Sequence, residues 1–265
     1  MEKEKNNVTE ARSLMVVKAN DIIQKARFQL STQEQKIIIY LISKIKPRDK
    51  EFQPYQFDIA EFCRVCGIDE RSGKNYRDLK STIKALADKS LWVTIGDHEV
   101  LFRWINDVDI EKKSGTIEIQ FHERMKPFLL DLKNNYTQYE MLYILAMKSQ
   151  YAIRLYELMK SQVFKKKPVT YDIDEIKRLL MAENYIKLSD LKSRVIDIAA
   201  TEINNLSDIF ISYELIKQGR SYTQIKFRVQ IKTELDDRLE AIKKIHEAIG
   251  EETPEMIKIL TSNGE

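Results

Sequence analysis

Phe57-Asp58-Ile59-Ala60-Glu61-Phe62 and Tyr171-Asp172-Ile173-Asp174-Glu175-Ile176 are two versions of one stretch: an aromatic residue, an aspartate, then an apolar run with a glutamate three positions on. Downstream, Asp78-Leu79-Lys80-Ser81 matches Asp190-Leu191-Lys192-Ser193. Asp58 and Asp172 lie 114 residues apart, Asp78 and Asp190 lie 112 apart, so the two matches slip by only two positions. Solenoid repeats run about 20 to 50 residues, so a period this long marks a duplicated domain. Two copies of one head imply a long polymer as the thing being read.

Each aspartate predicts a helix N-cap. Its side chain accepts orphan backbone N–H groups, and the following glutamate favours the positive helix end. These helices are predicted to run to about Gly67 and Met181, each preceded by a short strand, Tyr55–Phe57 and Val169–Tyr171. A longer helix follows in each copy. Leu79, Ile83, Leu86 and Ala87 share its core face in the first, and Leu191, Val195, Ile198 and Ala199 in the second. The outward faces carry Arg77, Ser81, Lys84 and Asp88, and then Ser193, Arg194, Asp197, Thr201 and Asn204.

Hairpins close both copies. From Ile225 to Lys232 apolar and polar residues alternate strictly, predicting a half-buried antiparallel strand with a basic outer face. Lys217-Gln218-Gly219-Arg220 is its turn, and no acid lies between Glu214 and Glu234. The first copy has strand patterns at Leu91–Ile95, Val100–Ile110 and Thr116–Phe121, which read as a longer wing. Two helices with a polar outer face, followed by a hairpin, describe a winged helix-turn-helix. The fold class is therefore α+β, two tandem winged helices related by duplication.

Around these heads, Val16 to Ile23 reads as a short helix. Ser31-Thr32-Gln33-Glu34 is a capping box for an apolar helix through Ile45, ended by Pro47. Its weaker echo is Ile153–Lys160, with Tyr40 matching Tyr156. The predicted layout is a flexible segment 1–15, winged helices over 16–133 and 134–233, and a helical tail over 234–265, polar after Pro254, that reads as a frayed appendage.

Composition narrows the function. The chain has 265 residues, 43% apolar and 32% charged, with a net charge of only +3, so any nucleic-acid contact rests on local clusters. No apolar run approaches the roughly 18 residues of a membrane span, and the start lacks a signal-like stretch, which predicts a cytoplasmic protein. Cys63 and Cys66 have no further ligands for a zinc site and read as reduced structural thiols. Seven glycines, three scattered histidines and no phosphate loop point to no enzyme, no metal and no cofactor.

A helix entering the major groove reads bases with Arg, Lys, Asp or Ser. Ser189, Lys192, Ser193, Arg194 and Asp197 are such residues in the first turns of the second long helix, with Lys187 just before it. Lys217, Arg220, Tyr222, Lys226 and Arg228 on the wing suit phosphate contacts, which supply affinity and register. In the first copy Arg71, Lys74, Asn75, Arg77, Lys80, Ser81 and Lys84 form a basic cluster diluted by Asp69, Glu70 and Asp78, predicting weaker DNA contact. Lys165-Lys166-Lys167 fits a phosphate contact or a solvated loop equally well.

Several stretches resemble one family. They are Val17–Ile23, Leu30–Lys36, Ser149–Leu158 with Ile153-Arg154-Leu155-Tyr156-Glu157-Leu158, Glu202-Ile203-Asn204, and Ile216–Arg220 continuing to Phe227. In that order they resemble the iteron-binding plasmid replication initiators, the tandem winged-helix Rep proteins of the RepA, RepE and Pi type. The resemblance implies monomers that bind repeated sites in double-stranded origin DNA, promote melting, and recruit the host initiator DnaA and the replicative helicase. It also implies homodimers, in equilibrium with monomer, that repress the protein's own gene. It assigns the main base contacts to the C-terminal winged helix, with Lys192, Ser193, Arg194 and Arg220 foremost. The dimer surface falls to the N-terminal one, near Val100–Ile110, if Leu101, Arg103 and Ile105 face outward. A transcriptional regulator without initiator activity is the alternative; a protein-binding adaptor is a third reading.

Overall fold

The computed structural model describes residues 10–46, 48–68, 73–111 and 114–250, leaving aside the side chains of 75 and 76. It divides into two units between Leu145 and Ala146.

In the first unit, β1 (Met15–Ala19) leads into α1 (Asn20–Lys25), then α2 (Thr32–Ser43), β2 (Tyr55–Asp58), α3 (Ile59–Val65) and α4 (Gly73–Ala87). Strands β3 (Ser90–Ile95), β4 (His98–Arg103), β5 (Ile105–Ile110), β6 (Thr116–Phe121) and β7 (Tyr136–Glu140) follow. The second unit holds α5 (Gln150–Lys160), β8 (Val169–Asp172), α6 (Ile173–Leu180) and α7 (Leu188–Leu191). A π-helical turn (Lys192–Ile196) then joins α7 to α8 (Asp197–Leu206), and β9 (Ile209–Gln218), β10 (Ser221–Ile231) and α9 (Leu235–Ala248) complete it.

The duplication is visible in the sheets. Their strand orders are β2-β6-β5 and β8-β10-β9, all antiparallel. Register agrees too: Phe57 faces Ile117 as Tyr171 faces Ile225, and Tyr55 faces Ile119 as Val169 faces Phe227. Both strand partners of Phe57 and Tyr171 are buried at each unit's core.

Several local expectations are corrected. Met15–Ala19 is a strand, and the helix starts only at Asn20. Residues 10–15 are not loose: Ala11 and Arg12 are buried, and Arg12 donates to the Val65 and Arg64 carbonyls at the end of α3. The chain from 136 to 140 pairs with β1, so it belongs to the first unit, beyond the expected boundary at 133. The capping box at Ser31 and Glu34 is present, but α2 ends at Ser43, before Pro47, which lies outside the described residues. Val100–Ile110 is two strands broken at the buried Trp104, so the first wing is two hairpins, one of them the separate sheet β3-β4. Ile105 is fully buried, while Leu101 is 50% exposed. Helix α9 is docked rather than frayed: Leu239, Ala241 and Ile245 are buried, and it contacts α8. Pro254 lies outside the described residues. Cys63 and Cys66 are buried free thiols, and burial pushes Cys66 up to about 12.

The two aspartate caps differ. Asp58 accepts from the Ala60 and Glu61 amides, at 2.8 and 3.1 Å. Asp172 caps no amide and instead accepts from Gln224 Nε2 at 3.0 Å across the sheet.

Tyr40 and Tyr156 do share a role. Tyr40 Oη donates to Glu61 Oε1 at 2.6 Å, and Lys44 Nζ joins it at 3.1 Å. Tyr156 and Lys160 clasp Asp208 in the same way. Burial pulls the Glu61 carboxyl upward, but the Tyr40 and Lys44 hydrogen bonds win and hold it below its usual 4.5. A depressed carboxylate stabilises the fold above its unfolded value and loses that contribution as pH falls through its folded value. The thermal midpoint of Glu61→Gln should therefore lie below wild type at neutral pH and converge on it below about pH 4. A constant gap across that range would refute the clasp.

No helix among the described residues is long and apolar enough to cross a membrane.

Candidate nucleic-acid interface

The second unit's long helix has a defined polarity. Leu188, Leu191 and Ile196 line one small cleft with Tyr213, Leu215 and Ile225, whereas Asn204, near the other end, binds Ile211. The start of the helix thus lies toward the tip of the β9-β10 hairpin. That tip is a two-residue turn, Gly219-Arg220, with Gly219 at φ 65° and Ser221 facing Gln218. A residue with a side chain is strained at this φ, which is why glycine opens the turn.

Lys187, Ser189, Ser193 and Arg194 at the helix start and Lys217, Arg220 and Tyr222 on the wing are all exposed. Arg194, 71% exposed at its side chain, lies 3.8 Å from Asp190. Lys217 covers the Tyr222 ring at 4.8 Å. Ser193 Oγ donates to the Ser189 carbonyl at 2.9 Å.

Other candidates are already engaged. Lys192 Nζ lies 2.8 Å from Asp197 Oδ2, and Tyr213 donates its hydroxyl to Asp197 Oδ1. Lys226 and Arg228 flank Glu214 at 2.8 and 3.6 Å, because the register sets Glu214 opposite Lys226. The stretch that lacks acids in sequence therefore has one on its face in space. Asn204 does not face outward: its amide brackets the Ile211 N–H and C=O. The alternation also fails at its end, where Ile231 is 52% exposed and Lys232 is buried, donating to the Asn204 carbonyl. Burial lowers the Lys232 ammonium.

Ile198 was expected in the core, but it is 43% exposed and Ile196 is buried in its place. Leu191, Val195, Ala199 and Ile203 are all buried at four-residue steps. Such a stripe drifts about 40° per step around a straight α-helix. The wider π turn absorbs part of that drift and moves the buried stripe off Ile198. Ile186, just before the helix, is 88% exposed, and the sequence pattern around it does not distinguish it from a buried isoleucine.

Lys165-Lys166-Lys167 lies elsewhere. The preceding 3-10 turn, Val163–Lys165, contacts β10, and Val169 faces Phe227, so the lysines sit beside the strand's far end. From Ser221 to Val229 is roughly 26 Å at about 3.3 Å per residue. The wing tip and these lysines thus lie toward opposite ends of β10.

In the first unit, α4 exposes Lys74, Arg77, Lys80, Ser81 and Lys84 along with Asp78, while Leu79, Ile83 and Leu86 are buried and Ala87 is half-buried. Arg71, Asp69 and Glu70 lie outside the described residues, as does the Asn75 side chain.

The fold defines a tandem winged-helix protein with exposed basic residues on the second unit's long helix and wing. The chain matches the initiator replication protein family, its first winged-helix domain over residues 15–160 and its second over 172–229, and it belongs to that family. A replication initiation protein of Escherichia coli is 23% identical over 235 residues, covering 84% of this chain and 72% of that relative. An uncharacterized 27.6 kDa protein of the same organism is 20% identical, covering 82% and 90%. Among solved structures, the Pi initiator protein in complex with iteron DNA superposes with a TM-score of 0.69 at 19% identity, covering 84% of this chain and 99% of that one.

Proposed function

We propose that this chain initiates plasmid replication by binding directly repeated sites in double-stranded origin DNA. The observation that supports the reading is the exposure of Ser193 and Arg194 at the helix start and of Lys217 and Arg220 at the wing of the same winged helix. The helix start supplies base readout and the wing supplies phosphate contacts, while α4 of the first unit adds weaker ones. Promotion of melting, recruitment of DnaA and the replicative helicase, and repression of its own gene as a dimer complete this function. No step requires a catalytic group or cofactor, and the cytoplasm is where it acts. For the dimer, Trp92 and Leu101 face each other across β3-β4 and are 42% and 50% exposed, an apolar pair on a hairpin whose outer strand pairs only with β3 among the described residues.

Footprinting on the DNA that flanks the gene tests this. The expected result is protection of several direct repeats at low protein concentration and of an inverted operator by the dimer. Protection of a lone operator would instead mark a transcriptional regulator.

Charge placement adds a sharper expectation. Arg220→Ala should weaken all duplexes alike and reduce the log–log salt slope by about 0.9. Lys226→Ala should change it less, because Glu214 already offsets that charge. Replacing Lys165, Lys166 and Lys167 by alanine should leave iteron affinity and slope unchanged.

A further inference from the structure

Lys192 and Asp197 are joined twice. The Asp197 amide donates to the Lys192 carbonyl, closing the π turn, and the Lys192 ammonium donates to Asp197 Oδ2 at 2.8 Å. In an α-helix, residues five apart point about 140° away from each other, and ion pairs form at spacings of three or four. This pairing at a spacing of five suits the wider turn. Tyr213, on wing strand β9, donates to the remaining carboxylate oxygen, and its ring lies 5.9 Å from the ammonium. Both oxygens of Asp197 are thus occupied from within the chain. Burial pulls the Asp197 carboxyl upward, but the bonds from Lys192 and Tyr213 hold it low, in keeping with a formed ion pair.

We propose that Lys192, Asp197 and Tyr213 are positioning residues: a strap that holds the π turn and thereby fixes the rotation of the reading helix against the wing. The strap orients Ser193, Arg194 and Ile198 together toward the groove, while Lys192 and Asp197 make no base or phosphate contact of their own. This rests on the proposed reading of that helix as the DNA-reading element. Without the strap the segment relaxes toward an α-helical turn, which rotates everything after it relative to Ser189 and the wing.

The test compares wild type with Lys192→Met, Lys192→Arg, Tyr213→Phe and Arg194→Ala in the full chain. Binding to an iteron duplex and to a scrambled duplex is measured across a salt series, with thermal unfolding as the fold control. Lys192→Met and Tyr213→Phe should each lower the iteron-to-scrambled affinity ratio by about tenfold, the size of one lost base contact. The salt slope and the scrambled-duplex affinity should not move, and Lys192→Arg should keep the ratio. A slope reduced by about 0.9 in Lys192→Met would place that lysine on a phosphate and overturn the proposal. So would a lowered thermal midpoint with an unchanged ratio. An Arg194→Ala control that binds like wild type sinks the reading of the helix itself. A responsive control beside inert strap variants sinks the strap alone.

Discussion

Phe227→Ala should destabilise the second winged helix by about 3–5 kcal/mol. Phe227 is fully buried on β10, the central strand of its sheet, between β8 and β9. Its ring packs against Tyr171 at 6.3 Å and Tyr213 at 6.0 Å. Removing a buried phenylalanine costs about 3–5 kcal/mol, from lost transfer energy and from the cavity left behind. A domain has only about 5–15 kcal/mol in hand, so the change removes a large share of the margin. The effect should be confined at first to the second unit. Both tryptophans, Trp92 and Trp104, lie in the first unit, so fluorescence would miss it. Hydrogen exchange of the β9 and β10 amides in urea reads it directly. Protection within about 1 kcal/mol of wild type would mean that Phe227 is not part of a core. Because Tyr213 leans on the same ring, iteron binding should fall together with protection.

Arg194→Ala should cost roughly 1–3 kcal/mol of iteron binding and relax specificity at one base position. The guanidinium is exposed, and at 3.8 Å from Asp190 it makes a loose surface pair that DNA can displace. Arginine offers a planar fork that matches guanine O6 and N7, which a lysine at the same place does not reproduce. The measurement is competition with a panel of iteron duplexes, each changed at one base pair. Wild type should discriminate at every contacted position, and the variant should lose discrimination at one. Uniform weakening across the panel would assign Arg194 to the phosphate backbone, and no change would remove it from the interface.

Two of the stretches that carry the family resemblance, Ser149–Leu158 and Glu202–Asn204, serve the fold. Glu202 Oε2 accepts from the Lys148 and Ser149 amides at the start of α5, and Asn204 pins β9. Ile153, Leu155, Tyr156 and Leu158 are buried, and Arg154 reaches the Leu179 carbonyl. A sequence can be placed in a family by such residues while its base-reading side chains remain unassigned.

Local sequence determined the duplication, the helix–helix–hairpin order within each copy, the capping box at Ser31, the turn at Gly219 and most of the buried stripes. These depend on local dihedral preference and on which face of a helix or strand is apolar, and both are properties of neighbours in the chain. Only the tertiary structure decided that Glu214 meets Lys226, that Asp197 is held by Tyr213, that Asp172 turns to Gln224, and that a π turn exposes Ile198 while Ile196 is buried. Each of these is set by strand register or by packing between elements distant in sequence. A charge or an apolar side chain acquires its role from the partner that such packing brings within a few ångströms.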